Sequence, residues 1–235
     1  MNKLKTIVLL SLLMLGISIG VEAQDWANLN RFREDNAKLG KARTCDQRVV
    51  FMGNSITQGW ISQMPEFFAP EKQYINRGIG GQTTPQMLVR FRQDVIALYP
   101  KVVVILAGIN DIAGNTGPSS LEMIEDNLYS MTELAQAHGI QVVLCSVLPA
   151  YDFPWSPGKE PAGKVIELNK RIKNYANTHG AVYCDFHSAM ADERNGLPKN
   201  LSGDGVHPNK EGYAIMQPIV DQAIARAMLL WKGFK

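Results

Sequence analysis

Cysteine is scarce in this chain: Cys45, Cys145 and Cys184 are the three in 235 residues. They are widely spaced, no C-x-x-C pair occurs, and three thiols close at most one disulfide, so neither a metal site built on paired cysteines nor a disulfide scaffold is expected. Cys145 and Cys184 fall within apolar, strand-like runs and read as buried thiols. A surplus of charge is missing too. With 24 Lys and Arg against 22 Asp and Glu, the formal net charge of +2 argues against nucleic acid as a partner. The one basic cluster, Lys170-Arg171 with Lys173, lies in a helical pattern and reads as its solvated face. The chain also lacks internal repeats, linkers, low-complexity tracts and the Walker lysine motif.

What is there begins with an address. Lys3 and Lys5 precede an uncharged apolar stretch, Thr6 to Gly20, and Val21-Glu22-Ala23 offers small residues at cleavage positions, the layout of a secretory signal. Residues 1–23 are therefore expected to be removed, leaving a single domain over 24–235 in a secreted or periplasmic protein. The stretch is shorter than the roughly 20 residues of a spanning helix, so no stable membrane insertion is expected after processing. The cleavage region has no cysteine to carry a lipid anchor.

Strand and helix periods alternate along the rest. Short apolar runs at Arg48–Met52, Gln73–Asn76, Val102–Ala107, Gln141–Val147 and Ala181–Asp185 predict five strands. Between them, Leu88, Phe91, Val95 and Leu98 recur at helical spacing, as do Leu121, Ile124, Leu128 and Met131, then Val165, Leu168, Ile172 and Tyr175. Thr84-Pro85 and Ser119-x-x-Glu122 read as helix starts. His138-Gly139 and His179-Gly180 read as helix ends, where a histidine needs no catalytic duty. A leading helix near Trp26–Ala42 and a closing one over Lys210–Trp231, kinked at Pro218, complete the count. Parallel neighbours require crossover connections, so this alternation predicts an α/β fold: a three-layer α/β/α sandwich of flavodoxin type around a five-stranded, mainly parallel sheet.

Ligands of such sheets bind beyond the carboxyl ends of the strands. There the sequence places Gly53-Asn54-Ser55-Ile56-Thr57, then Arg77-Gly78-Ile79-Gly80-Gly81-Gln82-Thr83-Thr84, then Gly108-Ile109-Asn110-Asp111. The glycine loop does not complete a dinucleotide fingerprint, since Thr83 stands where a third glycine is needed. Ser55 alone could be a helix cap; as a nucleophile it needs a base. Two histidines are open to that role. His187 lies two residues beyond Asp185. His207 follows Asp204 by three in a glycine-bearing loop before Pro208, and this spacing favours it.

The blocks Gly53-Asn54-Ser55-Ile56, Gly81-Gln82-Thr83-Thr84, Gly108-Ile109-Asn110-Asp111 and Asp204-Gly205-Val206-His207-Pro208, in this order, resemble those of the SGNH or GDSL hydrolase superfamily. The likeness is to the branch with platelet-activating-factor acetylhydrolase subunits and bacterial carbohydrate O-acetylesterases. It implies a Ser55 nucleophile, a His207 base and an orienting Asp204. It further implies an oxyanion hole from the N–H groups of Ser55 and Gly81 and the amide of Asn110, with no metal and no cofactor. The family's usual Asp before the serine is Asn54 here. Asp111 reads as structural, because a carboxylate beside an oxyanion would oppose its charge.

The expected function is a serine ester hydrolase removing short acyl groups, acetyl above all, from a carbohydrate or other small polar ester. Trp60, Tyr151 and Trp155 are candidate substrate contacts, the last two in a proline-rich loop at the same sheet edge. A lipid acylhydrolase or thioesterase, and a non-catalytic carbohydrate-binding protein, are the alternatives. Oligomeric state is not written in the sequence.

Overall fold

The computed structural model describes residues 25–43 and 45–233, so the expected signal segment lies outside the described residues. Five strands form one sheet: β1 (Val49–Gly53), β2 (Tyr74–Gly78), β3 (Val102–Leu106), β4 (Gln141–Cys145) and β5 (Val182–Cys184). Their spatial order is β2-β1-β3-β4-β5 and every pairing is parallel. β1 and β3 are buried along their whole length, which is why both read as unbroken apolar runs rather than alternating ones.

The helices are α1 (Arg33–Leu39), α2 (Ser55–Gln63), α3 (Thr84–Asp94), α4 (Ile109–Ala113), α5 (Leu121–Ala137), α6 (Pro161–Thr178), α7 (His187–Met190) and α8 (Lys210–Leu230). α2 and α8 pack on one face of the sheet, while α3, α5 and α6 make the other layer. The chain leaves β1 toward β2 on one side and returns to β3 on the other. The loops after β1 and β3 thus flank the point where strand order reverses, where open sheets of this kind form a crevice.

Several boundaries differ from expectation. The leading helix is shorter than Trp26–Ala42, because the Asp25 carboxylate accepts the N–H groups of Leu29 (2.7 Å) and Asn30 (3.0 Å) and holds that stretch in turns. α5 is capped by Ser120 rather than Ser119, its hydroxyl accepting the Met123 N–H. The N-cap of α3 is Thr83, whose N–H donates to Gln86 Oε1 at 3.0 Å, and Thr84 is freed for another role. α8 runs through Pro218 without ending. His138 and His179 are the C-cap residues of α5 and α6, followed by Gly139 and Gly180, both at φ +71°. Cys145 and Cys184 are buried free thiols, neighbours in register across β4 and β5, and Cys45 is free and exposed.

Trp60 is not at the sheet edge as a substrate contact would be. It is 1% exposed, stacked on Phe67 at 4.9 Å and ringed by Phe51, Phe68, Phe186 and Tyr213. Its helical phase on α2 points it into the core on the side away from solvent, so the substrate expectation for Trp60 is corrected.

Candidate active site

Two glycines let the site form. A Cβ on Gly53 would fall on Thr57 Oγ1 and Leu106 O, and one on Gly78 would fall on Gln58 N. With bare backbone at both strand ends, α2 begins directly against the sheet, and Ser55 is its first residue. Asn54 caps the helix, its Oδ1 accepting the Ile56 N–H at 3.0 Å. The cap needs only an acceptor oxygen, which Asn supplies as well as Asp. Asn54 Nδ2 is buried with no hydrogen-bond partner.

Ser55 Oγ lies 2.8 Å from His207 Nε2, and His207 Nδ1 lies 2.7 Å from Asp204 Oδ2. With the proton on Nδ1, the serine O–H donates to Nε2 and the ring N–H donates to the carboxylate. The loop carrying this pair is self-braced. Asp204 Oδ1 accepts the N–H groups of Val206 (2.9 Å) and His207 (2.8 Å) and the Ser202 hydroxyl (3.0 Å). Ser202 and Pro208 bridge its two ends, and Asn209 caps α8 through the Gly212 N–H. Burial pushes the Asp204 carboxyl upward, but the bonds from the His207 N–H, the His207 ring and the Val206 N–H outweigh it and bring it down to about 2.

His187 is elsewhere. It lines a cavity of about 280 Å³ with Lys170, Lys173, Tyr183, Asp185 and Ser188 at the β5 edge, and burial holds its imidazole below the usual range despite Asp185.

The resemblance implies three oxyanion donors, each with its own surroundings. Ser55 N–H opens α2. Gly81 sits at φ +76°, a backbone conformation that favours glycine, and its N–H has no acceptor among the described residues. A Cβ there would meet nothing within 4 Å, so the position faces open space. Asn110, near the start of α4 and 3% exposed, donates one amide hydrogen to Gln82 O at 2.9 Å and keeps the other. Asp111 turns away from these donors, its two oxygens accepting the Thr84 N–H (3.0 and 3.1 Å) and one of them the Thr84 hydroxyl (2.6 Å). It ties α4 to the start of α3, and burial, only partly offset by the Thr84 bonds, raises its carboxyl to about 6.

Of the loop aromatics, Trp155 lies beside the site, its ring 5.9 Å from the His207 ring, with Phe153 packed behind it at 5.3 Å. Its indole N–H donates to Asn115 Oδ1 (3.2 Å), and Asn115 Nδ2 donates to Gly81 O (3.1 Å). Tyr151 is exposed, its ring under the Arg194 guanidinium. The buried network behind the donors, built on Arg90 and Gln82, was not read from the sequence. Its one signal was an Arg and an Asp four apart, Arg90 and Asp94, on the buried stripe of α3 that also holds Met87 and Phe91.

A parallel α/β/α sandwich with serine, imidazole and carboxylate meeting beyond its strand ends is the layout of a serine hydrolase. The chain belongs to the GDSL-like lipase/acylhydrolase family, whose model matches residues 51–215. It is similar to a crystal structure of a candidate acylhydrolase from Bacteroides fragilis, at 47% identity and a TM-score of 0.85, over 87% of this chain and 99% of that one. It is 28% identical to the uncharacterised lipoprotein YqeF of Bacillus subtilis, over 58% of this chain and 55% of that protein. It is 26% identical to an acetylxylan esterase of Xylanibacter ruminicola, over 75% of this chain and 43% of that enzyme. The chain thus spans about half the length of these two curated relatives. Among the described residues, no helix is long and apolar enough to cross a membrane.

Proposed function

We propose that this protein is an exported serine esterase that removes short acyl groups, acetyl above all, from a carbohydrate or similar polar alcohol. Ser55 Oγ attacks the acyl carbon while its proton passes to His207 Nε2. Asp204 holds the Nδ1–H tautomer and stabilises the imidazolium. The carbonyl oxygen becomes an oxyanion within reach of the N–H groups of Ser55 and Gly81 and the free hydrogen of Asn110. As the C–O bond breaks, the alcohol leaves with the proton from Nε2, and Ser55 keeps the acyl group. Water then gives a proton to Nε2 as it attacks the acyl carbon, and as the Ser55 ester bond breaks Nε2 returns that proton to Ser55 Oγ and the acid leaves.

The observation that carries this reading is the pair of short contacts, 2.8 Å from Ser55 to His207 and 2.7 Å from His207 to Asp204. The depressed Asp204 carboxyl supports it, since an orienting group must remain ionised. An acetyl ester of a sugar is favoured by the likeness to acetylxylan esterase and by the half-exposed Trp155 face beside His207, which suits stacking on a sugar ring. Export is favoured by the expected signal segment and by the lipoprotein relative.

The test is hydrolysis of p-nitrophenyl acetate, p-nitrophenyl octanoate and acetylated xylan by the purified protein. Acetate is expected to turn over faster than octanoate, with acetic acid released from the xylan. Octanoate rates equal to or above those of acetate would overturn the short-acyl reading in favour of a lipid acylhydrolase.

A further inference from the structure

We infer that Arg90, acting through Gln82, is the positioning residue that sets the oxyanion donors; the inference rests on the esterase reading above. Arg90 is 0% exposed on α3. Its guanidinium donates in three directions: Nε to Gln82 Oε1 (2.6 Å), Nη2 to Gly53 O (3.1 Å) and Nη1 to Asp94 Oδ2 (3.1 Å). Gly53 O also accepts the Ile79 N–H at 3.1 Å, so one carbonyl joins the end of β1, the start of the glycine loop and Arg90. Gly53 stands two residues before Ser55, and Gln82 directly follows Gly81. One rigid fork therefore spans the two backbone segments that present the Ser55 and Gly81 N–H groups.

The third donor hangs on the same hub. Asn110 spends one amide hydrogen on Gln82 O, so the direction of the other depends on where the Gln82 backbone lies. Gln82 is held from outside as well, its Nε2 donating to Ala27 O (2.8 Å) in the segment before α1. The Asp94 carboxylate receives the Asn36 amide (2.7 Å) from α1. Lys cannot replace this arrangement, because an ammonium has no planar fork to meet Gln82, Gly53 and Asp94 together.

Stability alone is a weak reason for such a group. A buried ion pair recovers little more than its desolvation cost, and an apolar pair of similar volume often serves as well or better. Oxyanion donors, in contrast, are worth most when fixed before reaction, and a displacement of about 1 Å can cost about a hundredfold in rate.

The experiment compares Arg90→Lys and Gln82→Met with the wild type on p-nitrophenyl acetate, with active sites counted by exhaustive fluorophosphonate labelling. Gln82→Met removes the acceptor of Arg90 Nε at similar side-chain length, and it keeps the test available should Arg90→Lys fail to fold. Each variant is expected to lose roughly ten- to a hundredfold in kcat per titrated site with KM changed less than about twofold, as for a loss confined to the transition state. In an Asn110→Ala background the loss should shrink, because one of the three donors being positioned, the one hung on Gln82 O, is gone. Unchanged kcat per titrated site, or a loss fully multiplicative with Asn110→Ala, would overturn the inference while leaving the esterase reading intact. A folded wild type that neither turns over nor labels would overturn both.

Discussion

The candidate site has an exposed half and a buried half. The side chains of His207 and Asp204 are 39% and 40% exposed, on a loop braced mainly by its own backbone. By contrast, Asn110, Asp111 and Thr84 are at most 3% exposed, each hydrogen-bonded to a residue of another segment. The contrast follows from the chemistry proposed for each. A general base must receive a proton from serine or water and deliver one to the departing alcohol, so it has to be reachable. Oxyanion donors gain strength from a dry, fixed setting and need no exchange with solvent. Damage to the exposed half should therefore remove activity and spare the fold, whereas damage to the buried half should cost both.

The largest effect tests the exposed half. His207→Ala should lower kcat by about 10⁵–10⁶, as for removal of the base of a comparable triad. Its melting temperature should stay near that of the wild type, since substitutions at exposed positions shift stability by about 0.5 kcal/mol or less. His187→Ala, at the β5 edge, should keep most activity; a reversed pair of results would move the base to His187.

Next comes the buried half. Asn110→Ala should lose about 10²–10³ in kcat with little change in KM. It should also unfold more readily than His207→Ala, because Gln82 O is left without its donor at a cost of about 1–3 kcal/mol. Equal melting temperatures for the two variants would break the comparison.

The smallest effect separates the halves by pH. Asp111 binds its proton more tightly folded than unfolded, because its carboxyl rises from 3.8 to about 6. Its stabilising contribution is full below the unfolded value and is lost as pH rises through about 6, a change of about 3 kcal/mol. Asp204 has the opposite sign: its carboxyl falls to about 2, so its contribution is present above the unfolded value and lost as pH drops toward 2. Asp111→Asn should accordingly flatten the pH dependence of the melting temperature between pH 4 and 7. A variant that keeps the wild-type slope would contradict this account of Asp111.

Much of this was legible in the chain. Strands buried on both faces announce themselves as apolar runs, and all five were placed within two residues of their observed ends. Adjacent hydroxyls were not separable by pattern: Thr83 and Thr84, like Ser119 and Ser120, satisfy the same cap rule, and only the geometry assigns one to the helix and the other to Asp111. Trp60 misled because a tryptophan near the candidate nucleophile reads alike whether it faces substrate or core. Ser55, Gly81 and Asn110 were singled out because each follows a strand end and falls in a block that resembles the family. Arg90 escaped because a charged residue on a helix reads by default as solvated, and only its three acceptors show otherwise.

The central claim is that Ser55 is the nucleophile, and it is tested most directly by treating the wild type and Ser55→Ala with a fluorophosphonate and mapping the adduct by peptide mass spectrometry. The account predicts a stoichiometric adduct on Ser55 in the wild type and none in the variant. An adduct on another residue, or labelling that persists in Ser55→Ala, would contradict it.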